Sequence, residues 1–203
     1  MEEMIVHAIQ DDYPDEFAWC YGCGRLNEQG HHFRTGWRGD KTVTVYTPRP
    51  EHTAIPGFVY GGLIASLIDC HGTGSAALAL HRKNGHEPGS GETPPRFVTA
   101  SLHVDFVKPT PHGVPLVAVG TVTEIHPKKW KVDTEVFANG ELCARGQVVA
   151  VGASRRRRNA ENVCPWVTSN ERRRRAAVFD SAFSGAWQLV ENGCASPRFA
   201  IED

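Results

Sequence analysis

Net charge is almost absent from this 203-residue chain: 22 Lys and Arg stand against 23 Asp and Glu, a formal balance of −1. That excludes a general electrostatic attraction to nucleic acid or to an anionic membrane surface. No uninterrupted apolar run reaches the length that spans a bilayer, so no membrane partner is expected. The opening residues, Met1-Glu-Glu-Met-Ile-Val-His7, lack the basic and apolar regions of a secretory leader, and a cytoplasmic location is the expectation. Six cysteines are too few for a disulfide scaffold at this length, and the cytosol keeps such thiols reduced.

Cys20 and Cys23 alone have a suggestive spacing, in Cys-Tyr-Gly-Cys-Gly, with His31 and His32 following. A zinc site uses such ligands, but a second well-spaced pair is missing. The pair therefore reads as a tight glycine-rich turn whose thiols pack as small apolar groups. Neither a metal nor another cofactor is expected. A redox role is disfavoured too, since no strand–turn–helix pattern surrounds the pair.

What is present is a single domain of ordinary size with an extension. Residues 1–40 form a turn-rich lead-in of weak periodicity. Thr42 to Thr47 is β-branched and aromatic and reads as a strand, which Pro48 and Pro50 end. A helix is predicted from about Gly61 to Leu80. Gly72 and Gly74 within it imply the close approach of a sheet, a partner helix or a ligand, because each costs helix stability by about 1 kcal/mol relative to alanine. His81 to Pro95 is a polar Gly/Pro-rich loop.

The period then changes to two. Phe97–Val107, Leu116–Ile125, Lys129–Ala138 and Glu141–Val151 read as strands, the first half-buried, with Trp130, Val132, Thr134 and Val136 on one face of the third. Asn139-Gly140 is a favoured hairpin turn. The pattern is α+β: a strand, a long helix, then an antiparallel meander of four strands able to wrap the helix over residues 41–152. Residues 153–203 hold nine of the 22 basic residues, including Arg155–Arg158 and Arg172–Arg175. Phe179, Phe183, Trp187 and Val190 recur there at helical spacing. A solvated extension with one amphipathic helix is favoured over a nucleic-acid arm.

The helix segment carries the chemistry. It opens on Gly61-Gly62, where the first N–H groups of a helix have no intrahelical partner. Inside its apolar run stands a single carboxylate, Asp69, which loses hydration if buried. A free donor cluster and a buried carboxylate are two halves of an acyl-transfer site. Gly61 and Asp69 lie about 12 Å apart along one helix, too far for one carbonyl to touch both.

Tyr60-Gly61-Gly62 with Asp69 resembles the His-Gly-Gly…Asp signature of the PaaI-like acyl-CoA thioesterases, which have the hotdog fold. Phe97-Val-Thr-Ala-Ser-Leu-His-Val-Asp-Phe-Val-Lys-Pro109 resembles the family's strand after the helix, Leu142-Cys-Ala-Arg-Gly146 its last strand, and Cys20-Tyr-Gly-Cys-Gly24 a lead-in of many relatives. The resemblance covers residues 18–152. It implies a homodimer or homotetramer that hydrolyses an acyl-CoA, with Gly61 of one subunit facing Asp69 of another across an isologous interface.

On that reading the Gly61 N–H, with Gly62, stabilises charge on the thioester oxygen. Asp69 acts as general base on water or attacks the carbonyl directly. Thr73, one turn on, holds the water or orients the carboxylate, and Thr99 matches the position of a Ser or Thr near the acid. Tyr60 stands where the family has His, and Thr53 and Ala54 where relatives carry Asn or Gln, so the oxyanion site rests on backbone alone. The plainer readings are a structural pairing of Asp69 with His71 or a strand residue, packing for His71, and ordinary helix and strand roles for Thr73 and Thr99. The functional alternatives are an acyl-CoA or acyl-carrier binding protein of little turnover, or a nucleic-acid-associated protein acting through the arginine tail.

Overall fold

The computed structural model describes residues 7–153. The expected C-terminal extension, with its arginine runs and amphipathic helix, lies outside the described residues. Six strands form one antiparallel sheet around one long helix: β1 (Thr35–Arg38), β2 (Lys41–Tyr46), α1 (Gly61–Lys83), β3 (Phe97–Phe106), β4 (Leu116–His126), β5 (Lys129–Ala138) and β6 (Glu141–Gly152). This is the hotdog fold. The strand order is β1-β2-β4-β5-β6-β3. Only β4-β5-β6 is a meander. The expected four-strand meander is corrected here, because β3 pairs with β6 at the sheet edge rather than with β4.

Local chemistry accounts for the element ends. Asn139 and Gly140 both have positive φ, 51° and 77°, closing the β5–β6 hairpin. The last turn of α1 carries His81, Arg82 and Lys83, favourable to the helix dipole. Gly85, at φ 84°, then reverses the chain while its N–H bonds the Arg82 carbonyl. These contacts extend α1 three residues beyond its expected end.

Leu63, Ile64, Leu67 and Ile68 of α1 pack on Val132, Val136, Ala144 and Val148 of β5 and β6. Each buried Leu, Ile or Val side chain among them stabilises the fold by roughly 1.5–3 kcal/mol. The sheet approaches Gly72, and the sheet together with Gln10 of the lead-in, whose Nε2 would lie 2.7 Å from a Cβ, approaches Gly74. A Cβ on Gly72 would lie 2.5 Å from the Val148 Cβ, and one on Gly74 would lie 2.9 Å from Thr35 Oγ1. By length and composition α1 is long and apolar enough to cross a membrane, which the sequence reading does not expect, and 67% of that apolar window is buried inside the fold.

The lead-in belongs to this core. Ile9, Tyr13 and Phe33 are buried in it, and the boundary expected at residue 41 falls inside the β1–β2 hairpin, where Arg38 pairs with Lys41. Gln10, Thr35, Thr42, Thr44 and Ser75 form a buried polar cluster around His71. Thr44 Oγ1 stands 2.9 Å from His71 Nδ1, and Ser75 donates to Thr42 Oγ1 at 2.7 Å. Complete burial holds the His71 imidazole down to a pKa of about 3, so it is neutral packing.

The β3 strand departs from its expected half-buried state. Phe97 is buried, but Val98 (38%), Leu102 (41%) and Phe106 (58%) are exposed. A bulge between Thr99 and Ser101 shifts the β3–β6 register by one residue. It moves the inward face from odd to even positions: Phe97 and Thr99 before it, Val104 and Phe106 after it.

Candidate active site

The N-terminus of α1 follows Tyr60, whose backbone is extended (φ −64°, ψ 129°), and no side chain caps it. The Gly61 and Gly62 N–H groups thus stand among the four that a helix leaves without intrahelical partners. Phe106 of β3 lies over Gly61, with ring atoms 3.2 Å from where a Cβ would sit. Tyr60 is 52% exposed and folds back over Gly62, its phenol occupying the space of a side chain at that position. Absence of side chains at 61 and 62 therefore lets two aromatic rings close directly on the helix backbone.

Two turns on, Asp69 is half-buried on the side of the helix that faces β3. Thr99 donates its hydroxyl to Asp69 Oδ1. Burial raises the Asp69 pKa, the Thr99 hydrogen bond opposes that rise, and a negative charge on nearby Cys20 adds to it. His71 takes no part: it points into the polar cluster on another side of the helix. Thr73 is not brought to the carboxylate. Its hydroxyl donates to the backbone carbonyls of Asp69 and Cys70, both at 3.3 Å, which is the usual fate of a helical threonine. Thr53 and Ala54 are exposed, and Thr53 Oγ1 donates to the Pro50 carbonyl at 2.8 Å.

So the structure unites Asp69 with Thr99 and groups Tyr60, Gly61 and Gly62 with Phe106. These are two half-sites eight residues apart on one helix, and no single chain closes them together.

Cys70, next to Asp69, was not singled out from the sequence. It meets Cys20 and Cys23, all three sulfurs lying within 4.8 Å of one another. The cysteine beside the carboxylate was the available signal, paired with the upstream Cys-x-x-Cys. Hydrogen bonds from the Cys23 and Cys70 thiols and from the Cys23 and Gly22 N–H groups hold the Cys20 pKa low. His31 and His32 are elsewhere. His31 packs among Tyr21, Phe33, Tyr46 and His52, and His32 Nε2 lies 2.7 Å from the Asn27 carbonyl.

Residues 56–144 match the family model described as Thioesterase superfamily. A thioesterase superfamily protein of Shewanella loihica PV-4 is 46% identical over 69% of this chain and 98% of its own, with a TM-score of 0.50. The chain belongs to the thioesterase superfamily. A Haemophilus influenzae thioesterase, 13% identical, shares the fold at a TM-score of 0.53 over 68% of this chain and 90% of its own. The E. coli PaaI protein is 16% identical over 57% of this chain and 74% of its own, with a TM-score of 0.45. No curated protein matches the chain significantly.

Proposed function

We propose that this protein is an acyl-CoA thioesterase whose site is assembled from two subunits. The observation that carries the reading is the Asp69–Thr99 pair, a half-buried carboxylate held by a hydroxyl on the helix whose uncapped Gly-Gly end supplies amide donors. Superfamily membership supports thioester hydrolysis; the geometry supports the division of labour.

Exposed apolar side chains on the open β3 edge call for a partner, since an edge strand leaves N–H and C=O groups unpaired. Antiparallel pairing of β3 with β3 of a second copy would cover Val98, Leu102 and Phe106. The same two-fold would set the helices antiparallel and bring Gly61 of the partner subunit opposite Asp69.

In that site the Gly61 N–H, aided by Gly62 and the helix dipole, stabilises the developing oxyanion. Asp69 activates water or attacks the carbonyl, and Thr99 orients it. Tyr60 borders the acyl group in place of the family's His. The protein is assayed on a panel of acyl-CoA thioesters by release of free thiol, beside Asp69→Asn. Loss of about 10²- to 10⁴-fold in kcat is expected for the variant. Equal, slow thiol release by both proteins would leave a binding protein rather than an enzyme.

A further inference from the structure

Three cysteines far apart in sequence converge on one point behind Asp69. Cys20 and Cys23 come from a tight turn in which the Gly24 N–H bonds the Cys20 carbonyl at 2.7 Å. Cys70 comes from the middle of α1. Cys70 Sγ stands 3.9 Å from Cys20 Sγ, and no pair of the three sulfurs is more than 4.8 Å apart. Metal–sulfur bonds of about 2.3 Å at tetrahedral or trigonal angles place sulfurs about 3.8–4.0 Å apart. The cluster is thus already near the spacing of a thiolate cage.

The turn is shaped around the sulfurs. A Cβ on Gly22 would lie 2.3 Å from Cys70 Sγ, so only glycine lets the turn rest on the helix there. The N–H groups of Gly22 and Cys23 donate to the Cys20 sulfur, an arrangement that favours the anionic form. Cys23 and Cys70 are each 5% exposed, and Cys20 is the one member of the three that is partly exposed to solvent. Arg96, over the Tyr13 ring, interacts electrostatically with both Cys23 and Cys20. Three thiolates around a divalent cation carry one net negative charge, which one guanidinium balances. Thiols packed only as apolar groups have no need of the aimed N–H donors or of the cation beside them.

We propose that Cys20, Cys23 and Cys70 bind one thiophilic divalent cation of the Zn²⁺ type, with solvent as fourth ligand beside the partly exposed Cys20. The ion would tie the N-terminal turn to the helix turn that carries Asp69. On binding, each thiol still protonated releases its proton to solvent, so three thiolates meet one M²⁺. The inference does not depend on the thioesterase reading, because its test needs no substrate.

The full chain is stripped with chelator under reductant and titrated with Co²⁺. The expected result is a sulfur-to-cobalt charge-transfer band with intense visible d–d bands, saturating at one Co²⁺ per chain and bleached by Zn²⁺. Cys70→Ser and Cys20→Ser should each weaken Co²⁺ binding at least tenfold. Cys143→Ala and the double variant Cys164→Ser/Cys194→Ser should leave it unchanged. Circular dichroism of the metal-free variants checks that they fold, and Cys20→Ser, at the partly exposed position, serves if Cys70→Ser does not. Absence of thiolate bands in the wild type, their persistence in a folded Cys20→Ser, or a disulfide among the three cysteines under reductant would overturn the proposal.

Discussion

A single hydroxyl controls the candidate acid. Thr99 donates to Asp69 and so favours its anion against the burial that disfavours it. Thr99→Val should therefore raise the Asp69 pKa further and move the acid limb of the kcat/KM profile to higher pH. Thr99→Ser should leave that limb nearly in place, and about a 3- to 10-fold loss at neutral pH is expected for the valine variant. A pH–rate profile on one acyl-CoA reads this directly. His71 gives a second test, of stability rather than rate. Its imidazole titrates near 6.5 in an unfolded chain and at about 3 in the fold. Between those values the unfolded state binds a proton that the native state refuses, so stability is full above 6.5 and is lost as pH falls toward 3. The slope from this one group approaches about 1.4 kcal/mol per pH unit in that window. Urea unfolding across the window should show a shallower slope in His71→Asn, whose amide keeps polar partners without titrating.

The helix is legible because its signals are local, Gly-Gly at the start and a long apolar run behind it; its last turn is not, because His81, Arg82 and Lys83 look like the start of the polar loop that follows. The hairpin at Asn139-Gly140 was equally plain, since positive φ at both positions leaves few other residues for that turn. At element scale, Gly72 was read as a point of close approach, and the approach is by Val148. Gly72→Ala would push a Cβ into a branched carbon fixed near its own backbone. About 1–3 kcal/mol of overpacking is expected, more than the gain of about 1 kcal/mol in helix propensity. The melting temperature should fall, and Val148→Ala in the same chain should recover part of the loss. Other features had no local signal. Strand β1, Thr35-Gly-Trp-Arg38, is four residues with a glycine and is held by pairing with β2 and by Gln10, whose Oε1 accepts from the Thr35 N–H at 2.8 Å. The bulge beside Ala100 has neither Gly nor Pro to mark it. It exchanges the faces of β3, which is how Thr99 and Phe106, of opposite parity, both reach the helix. Pairing of β3 with β6 is likewise a long-range choice, visible only once the whole sheet is formed. Thr73 shows the converse failure: one turn from Asp69 on the same helix, it spends its hydroxyl on backbone carbonyls.

For the whole molecule, the proposed shared site needs two copies to complete what one chain leaves open. Leu102→Asp on the exposed edge of β3 should shift the assembly toward monomer in sedimentation velocity and lower thiol release in parallel, because a charge desolvated at an interface is costly. A sharper measurement separates the two halves of the site. Gly61→Pro removes the oxyanion donor at the first helical position, where the backbone and extended Tyr60 suit a proline and the exposed Phe106 ring must shift by a few tenths of an ångström to admit it. Asp69→Asn removes the acid. Each variant alone should be slowed at least about 100-fold. Co-expressed in equal amounts, half of the dimers would be mixed, and each mixed dimer would hold one intact site, joining Gly61 of one subunit to Asp69 of the other. Thiol release should then return to about a quarter of the wild-type rate. A co-expressed sample no more active than the average of the two variants would contradict a site shared between subunits.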